Sequence, residues 1–217
     1  MAGETIKSEA ICLDIRPWSR TSHVVSWLTP MGKVSTVVKG AVRSKSQFLG
    51  QYDLNYTCDI VYYARAKGEL HALREAVPVE MREELRGDYR KLALAGYFRR
   101  LVAELAPMGE ECRAWYEELE KELSCLVPRA SCLVRFELKV LNMAGLKPDF
   151  GRFREIASAS RGDRDGTDDG NRDGTGEEWL PFSLEAGIFG VSEGRCIRVS
   201  REVAEYLANR AVFDYER

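Results

Sequence analysis

The sequence predicts an α+β protein: a small closed five-stranded β-barrel in residues 1–80, then an α-helical domain over 81–217. Apolar residues alternate with period two up to about Val79, which is strand spacing. From Met81 onward they recur with the 3.6-residue period of amphipathic helices. The barrel segment also carries an uninterrupted block of cations, so the two halves differ in charge as well as in pattern.

The strands follow in order. Ile11, Leu13 and Ile15 alternate with Cys12 and Asp14, which predicts one apolar face. Val24–Leu28 is β-rich, and Pro30-Met31-Gly32 supplies a turn, Pro fixing φ and Gly permitting a positive one. Lys33–Lys39 alternates again: Val34, Thr36 and Val38 face one way, and Lys33, Ser35, Val37 and Lys39 the other. The run GAVRSKSQFLGQYDL, Gly40–Leu54, is a polar and basic connection. Tyr56–Tyr63 places Tyr56, Cys58, Ile60 and Tyr62 on one side, and Leu70–Val79 completes the set after a turn at Ala64–Gly68. Five short strands with one longer connection fit the OB-fold, whose closure removes exposed sheet edges.

Three helices are predicted next. Leu94, Phe98, Leu101, Val102 and Leu105 form one stripe, ended by Pro107 and Gly109. Trp115, Leu119, Leu123 and Leu126 form a second. Leu133, Phe136, Val140 and Met143 form a third, entered through Pro128 and left at Gly145 as a C-cap. Such stripes bury themselves by packing together as a bundle. Residues 158–178, SASRGDRDGTDDGNRDGTGEE, hold no aromatic or β-branched aliphatic residue and read as a disordered, acidic, Gly-rich loop. Trp179–Cys196 reads as a short hairpin or irregular segment, and a last helix is expected to begin near Ser200, with Val203, Tyr206 and Leu207 facing inward.

Composition excludes several function classes. At 45% hydrophobic and 30% charged, the chain affords a core and a solvated surface. No apolar run reaches the roughly 20 residues of a membrane span. Met1–Glu9 carries Glu4, Lys7 and Glu9 with no hydrophobic region, so no secretory signal is expected, and a cytoplasmic, reducing location follows. Six cysteines and only two histidines, His23 and His71, lack zinc-site clustering, so buried free thiols are expected. A calcium loop counted from Asp165 puts Gly176 where a bidentate Glu is required, which disfavours it. There is no P-loop, no dinucleotide fingerprint after a strand and no nucleophile elbow. His71 reads as a half-exposed structural residue, and the carboxylates of 80–126 read as helix-surface charges. No catalytic residue, metal or cofactor is expected.

The basic block carries the functional reading. Arg16, Arg20, Lys33, Lys39, Arg43 and Lys45 occur in residues 16–50 without a single Asp or Glu, although the whole chain has a net charge of −2. Phosphate contact needs cations gathered on one face, and OB-type barrels bind single strands along such faces. Trp18, Trp27, Phe48 and Tyr52 are the nearby aromatic candidates for base stacking; Trp27 shares a face with Val25 and reads as core.

The run IRPWSRTSHVVSWLTPMGKVSTVVKGAVRSKS resembles the opening of the RecO family, the bacterial recombination mediators, in its RPWS-x-TS element, its Leu-Thr before the Gly-Lys turn and its VxKGAxRSKS-like basic segment. LHALREA is similar to the family's last barrel strand, and VRFELKVLNMAGLKPDF to a helical-domain segment. The resemblance covers residues 5–80 well and 89–150 in outline. It implies an OB-fold followed by a helical domain that binds single- and double-stranded DNA and anneals complementary strands. It also implies work with RecR to load RecA onto strands coated by single-stranded-DNA-binding protein (SSB). The Arg before Phe-Glu-Leu, here Arg135, is similar to an arginine that docks the acidic SSB tail, a role suited to a guanidinium. Arg20 stands where the family usually has Glu. The four-Cys zinc site of many members has no counterpart, since no Cys lies between Cys132 and Cys196, and the chain looks short at its C-terminus. A generic single-strand binder, or an adaptor working through its helices, is the alternative reading.

Overall fold

The structure, a computed structural model, describes residues 4–65, 70–108, 112–146, 179–183, 196–200 and 203. The chain divides into two compact units, Met1–Phe136 and Glu137–Arg217.

Five strands close the barrel in the first unit: β1 (Thr5–Ser19), β2 (Ser22–Thr29), β3 (Gly32–Val38), β4 (Thr57–Tyr63) and β5 (Leu70–Glu80). Their order around the barrel is β1-β2-β3-β5-β4. All neighbours are antiparallel except β3 and β5, whose parallel pairing of Ser35 with Leu70 and Val37 with Ala72 completes the closure. The β2–β3 turn falls at Pro30-Met31, as the sequence predicts, and Thr29 Oγ1 donates to the Gly32 carbonyl across it. Cys58, Ile60 and Tyr62 face the barrel core with Val25, Trp27 and Val38. Trp27 is fully buried, and its indole N–H donates to Thr36 Oγ1 at 2.9 Å, so no polar atom of the ring is stranded.

β1 departs from the expected alternation. Ala10, Ile11, Cys12 and Leu13 are all buried. Cys12 pairs with Trp27 and Asp14 with Ser26, so Leu13 is an extra residue between paired neighbours. Such a bulge reverses the phase of the side chains. Ala10, Cys12 and Ile15 therefore pack on the barrel core, while Ile11 and Leu13 are buried outside it.

Helices α1 (Glu83–Arg86), α2 (Tyr89–Leu105), α3 (Arg113–Ser124) and α4 (Ala130–Met143) follow the barrel strands in sequence. α2 packs on β1 and α3 on β2. Asp88 caps α2, its carboxylate accepting from the Arg90 N–H at 2.8 Å. The buried residues of α2 are Ala95, Phe98, Arg99 and Val102. Phe98 stacks on Phe136 of α4 with ring centroids 4.0 Å apart. Gly145 follows α4 at φ 71°, the left-handed C-cap expected from the sequence. In the second unit, β6 (Trp179–Ser183) and β7 (Cys196–Ser200) pair antiparallel, the hairpin alternative anticipated for this stretch. The acidic stretch 158–178 and nearly all of the last expected helix lie outside the described residues.

Two expectations need correction. Cys12, Cys58 and Cys112 are buried thiols outside any disulfide, but Cys125 is exposed and Cys132 only half-buried. Helix carboxylates are not all surface charges: Glu122 is buried, and Glu120 pairs with the buried Arg82 at 2.6 Å. His71 is half-buried as expected, stacked on Tyr62 and accepting from the Arg65 N–H.

Burial pushes the Cys58 thiol up to about 12 and the Cys12 thiol well above its ordinary value. A folded-state value raised above the unfolded one stabilises fully below the unfolded value, near 9.0, and the contribution is lost as pH rises toward the folded one. Stability is expected to decline between about pH 9 and 12, and a Cys12→Ala/Cys58→Ala variant to show a flatter decline in denaturant titrations at pH 8, 9.5 and 11. Equal slopes would rule these thiols out as the cause.

Candidate nucleic-acid interface

The end of β1 and the long β3–β4 connection meet at one mouth of the barrel. The Gly40 N–H donates to Ser22 Oγ at 3.2 Å, and the Val42 N–H donates to the Thr21 carbonyl at 3.3 Å. These bonds stitch the connection to the β1–β2 turn. Gly40 has φ 67°, a left-handed conformation that favours glycine, and an added Cβ would lie 3.2 Å from Arg43 Cδ. The glycine thus lets the Arg43 side chain fold across the turn. Beyond it the connection is a chain of tight turns, with Arg43 N–H to Gly40 O at 3.1 Å and Ser46 N–H to Arg43 O at 2.9 Å. Phe48 anchors it, buried in the barrel core.

These contacts leave a hollow of about 390 Å³ whose lining includes Trp18, Ser19, Ser22, Lys39 and Arg43. Arg20 on the β1–β2 turn and Lys45 on the connection are exposed. Among the described residues, Arg20, Lys39, Arg43 and Lys45 form no ion pair. A cluster of cations without carboxylate partners on a shallow concave surface generates a positive potential that attracts a polyanion.

The other predicted cations lie elsewhere. Arg16 is exposed but pairs with Asp14, just outside the acid-free block. Lys33 lies on β3, whereas Lys39 follows its last residue, and the Lys33 Nζ donates to the Ala103 carbonyl of α2 at 2.8 Å. Burial lowers its pKa from the ordinary lysine value, and the adjacent Cys112 and Glu104 oppose that shift. Arg135 of α4 donates from Nη2 to both carboxylate oxygens of buried Glu122, at 2.8 and 2.9 Å.

Of the candidate aromatics, Trp27 and Phe48 are core. Tyr52 is half-buried, its hydroxyl 2.9 Å from His23 Nδ1, and burial pushes its phenol up to about 12. Trp18 alone of the four is exposed, at 62%. Sequence reasoning missed Arg82 and Arg99, both buried. Arg99 Nη1 donates to the carbonyl of the bulged Leu13, and Arg82 donates to Asn55 O and Thr57 Oγ1. Neither arginine carries a signal distinguishing it from a surface cation.

The closed five-stranded barrel followed by helices defines the class, an OB-fold protein with an appended helical domain. Two family descriptions match the chain: "Recombination protein O N terminal" over residues 1–82 and "Recombination protein O C terminal" over residues 86–153. The chain belongs to the RecO family. It is similar to the DNA repair protein RecO of Alkaliphilus metalliredigens, 29% identical over 149 residues, covering 66% of this chain and 59% of that protein. That of Anaeromyxobacter sp. strain K is 30% identical over 149 residues, covering 67% and 59%. That of Xanthomonas oryzae pv. oryzae strain PXO99A is 33% identical over 142 residues, covering 63% and 58%. The matches span just under three-fifths of these relatives' length. Among the described residues no helix is long and apolar enough to cross a membrane.

Proposed function

We propose that this protein is a non-enzymatic, cytoplasmic and nucleoid-associated recombination mediator. In this reading it binds single- and double-stranded DNA, anneals complementary strands and helps load RecA onto SSB-coated single strands, with RecR as partner. The observation that carries the reading is the gathering of Lys39 and Arg43 around one hollow, flanked by exposed Arg20 and Lys45, with no acidic partner among the described residues. Cations free of carboxylates neutralise phosphates and release condensed counterions. Two strands held on one such surface repel each other less, so base pairing proceeds without nucleotide hydrolysis. Residues 1–80 supply this DNA-binding domain, and 81–217 the helical domain. Arg135 is the proposed docking point for the SSB tail, its terminal carboxylate competing with Glu122 for the guanidinium.

The Lys39→Ala/Arg43→Ala variant is expected to weaken binding of all sequences alike and to flatten the slope of log affinity against log salt by up to about 2. Lys33→Ala is expected to leave that slope unchanged, because its ammonium is held by the Ala103 carbonyl. Fluorescence anisotropy between 50 and 200 mM salt reads both, and a slope unmoved by the double variant would refute the surface. Annealing of complementary strands, followed by fluorescence quenching, separates a mediator from a simple binder, which binds without accelerating pairing.

A further inference from the structure

We infer that Trp18 makes this cationic hollow selective for unpaired strands, stacking on an exposed base while Lys39 and Arg43 hold the neighbouring phosphates. The inference rests on the DNA-binding reading of the same hollow.

Trp18 lies near the end of β1, where the pairing register shifts between Pro17 and Ser19. A register shift of this kind re-aims the side chains around it. Trp18 is 62% exposed, while Trp27 is fully and Trp115 almost fully buried. Among the described residues no ring contact or hydrogen bond engages it. An indole left in water beside two cations forgoes the burial that usually holds such a ring. It lines the same hollow as Lys39 and Arg43, and about 390 Å³ is within the size range of small-ligand sites. A π-face next to phosphate-binding cations is the arrangement by which proteins hold single strands without reading sequence. In a duplex the base faces are already stacked and the ring has nothing to cover, whereas the cations engage either form. The hollow thereby ranks single strands above duplex without any base-specific hydrogen bond.

The full chain is titrated by anisotropy with a single-stranded oligothymidine, an abasic oligonucleotide of equal length and a duplex of equal length, at fixed salt. Trp18→Ala is expected to weaken the oligothymidine about 5- to 150-fold, the loss of one stacked base. The abasic strand and the duplex should change less than twofold, and Trp18→Phe should retain most of the preference. Equal loss on all three probes, or no loss on any, overturns the stacking role. The salt slope of Lys39→Ala/Arg43→Ala is read in parallel: if it flattens while Trp18→Ala shows no base dependence, only the stacking inference falls. If it does not flatten, the hollow is not the DNA surface and both fall. Circular dichroism of each variant excludes misfolding as a source of either result.

Discussion

Arg82→Met is expected to destabilise the first unit by about 3–5 kcal/mol, the cost of breaking a buried, hydrogen-bonded charge pair by removing one partner. Arg82 is only 2% exposed. Its guanidinium donates to the Asn55 carbonyl at 2.5 Å and to Thr57 Oγ1 at 2.9 Å, and pairs with Glu120 at 2.6 Å. Thr57 in turn donates to the other Glu120 oxygen at 2.7 Å. This fork joins the entry to β4 with α3, and so clamps helices to barrel. Tyr116, one turn before Glu120, adds a parallel bond by donating to Glu9; burial, and then that bond, hold its phenol well above the usual range. Met fills much of the arginine's volume but leaves the Asn55 carbonyl and the Glu120 carboxylate without their donor. Asn55 and Arg82 both adopt positive φ, 67° and 49°, and the lost bonds are among those that hold them there. Adding Glu120→Leu should recover part of the loss, since an apolar pair removes the stranded charge. Urea denaturation of the two variants checks this; a single variant within about 0.5 kcal/mol of the parent would show that the clamp contributes little.

The barrel was legible because its strands obey simple periodicity between clear turns. Cys58, Ile60 and Tyr62 on β4, and Val34 and Val38 on β3, face the core as their parity dictates. The failure on β1 has a local cause: the bulge at Leu13 breaks the count, and helices cover what would otherwise be the solvent face. Parity sets Lys33 and, just past the end of β3, Lys39 out of phase with the core-facing Val34 and Val38, but it says nothing of what lies above each position. At Lys33 it is the Ala103 carbonyl of α2, and at Lys39 an open hollow. The same blindness hid Arg82, Arg99, Glu120 and Glu122. Their residue types signal solvent, and only tertiary pairing, which carries no sequence period, offsets the burial of Arg82, Arg99 and Glu122 and the partial burial of Glu120. The sequence offers Trp18 only as one of four aromatic candidates, and its place between Pro17 and Ser19, with no apolar face to join, accounts for its exposure.

Phe98→Ala is expected to cost about 3–5 kcal/mol, because a fully buried ring in a packed helical layer leaves a cavity that its neighbours fill only in part. Phe98 and Phe136 are both fully buried and stack at 4.0 Å with planes 25° apart. A double-mutant cycle with Phe136→Ala should show the two losses to be non-additive by about 0.5–1.5 kcal/mol, the share due to ring–ring contact beyond burial. Neither ring belongs to the barrel core, whose members come from β1–β5 and the β3–β4 connection. DNA affinity measured well below the unfolding midpoint should therefore stay near the parent value. Arg135 is different, since it immediately precedes Phe136 and reaches Glu122 from the same stretch of helix. Loosening Phe136 should weaken any peptide docking at Arg135 while leaving the cationic hollow intact. Equal loss of DNA and peptide binding would instead mean that barrel and helices fold as one cooperative body, with no separable helical layer.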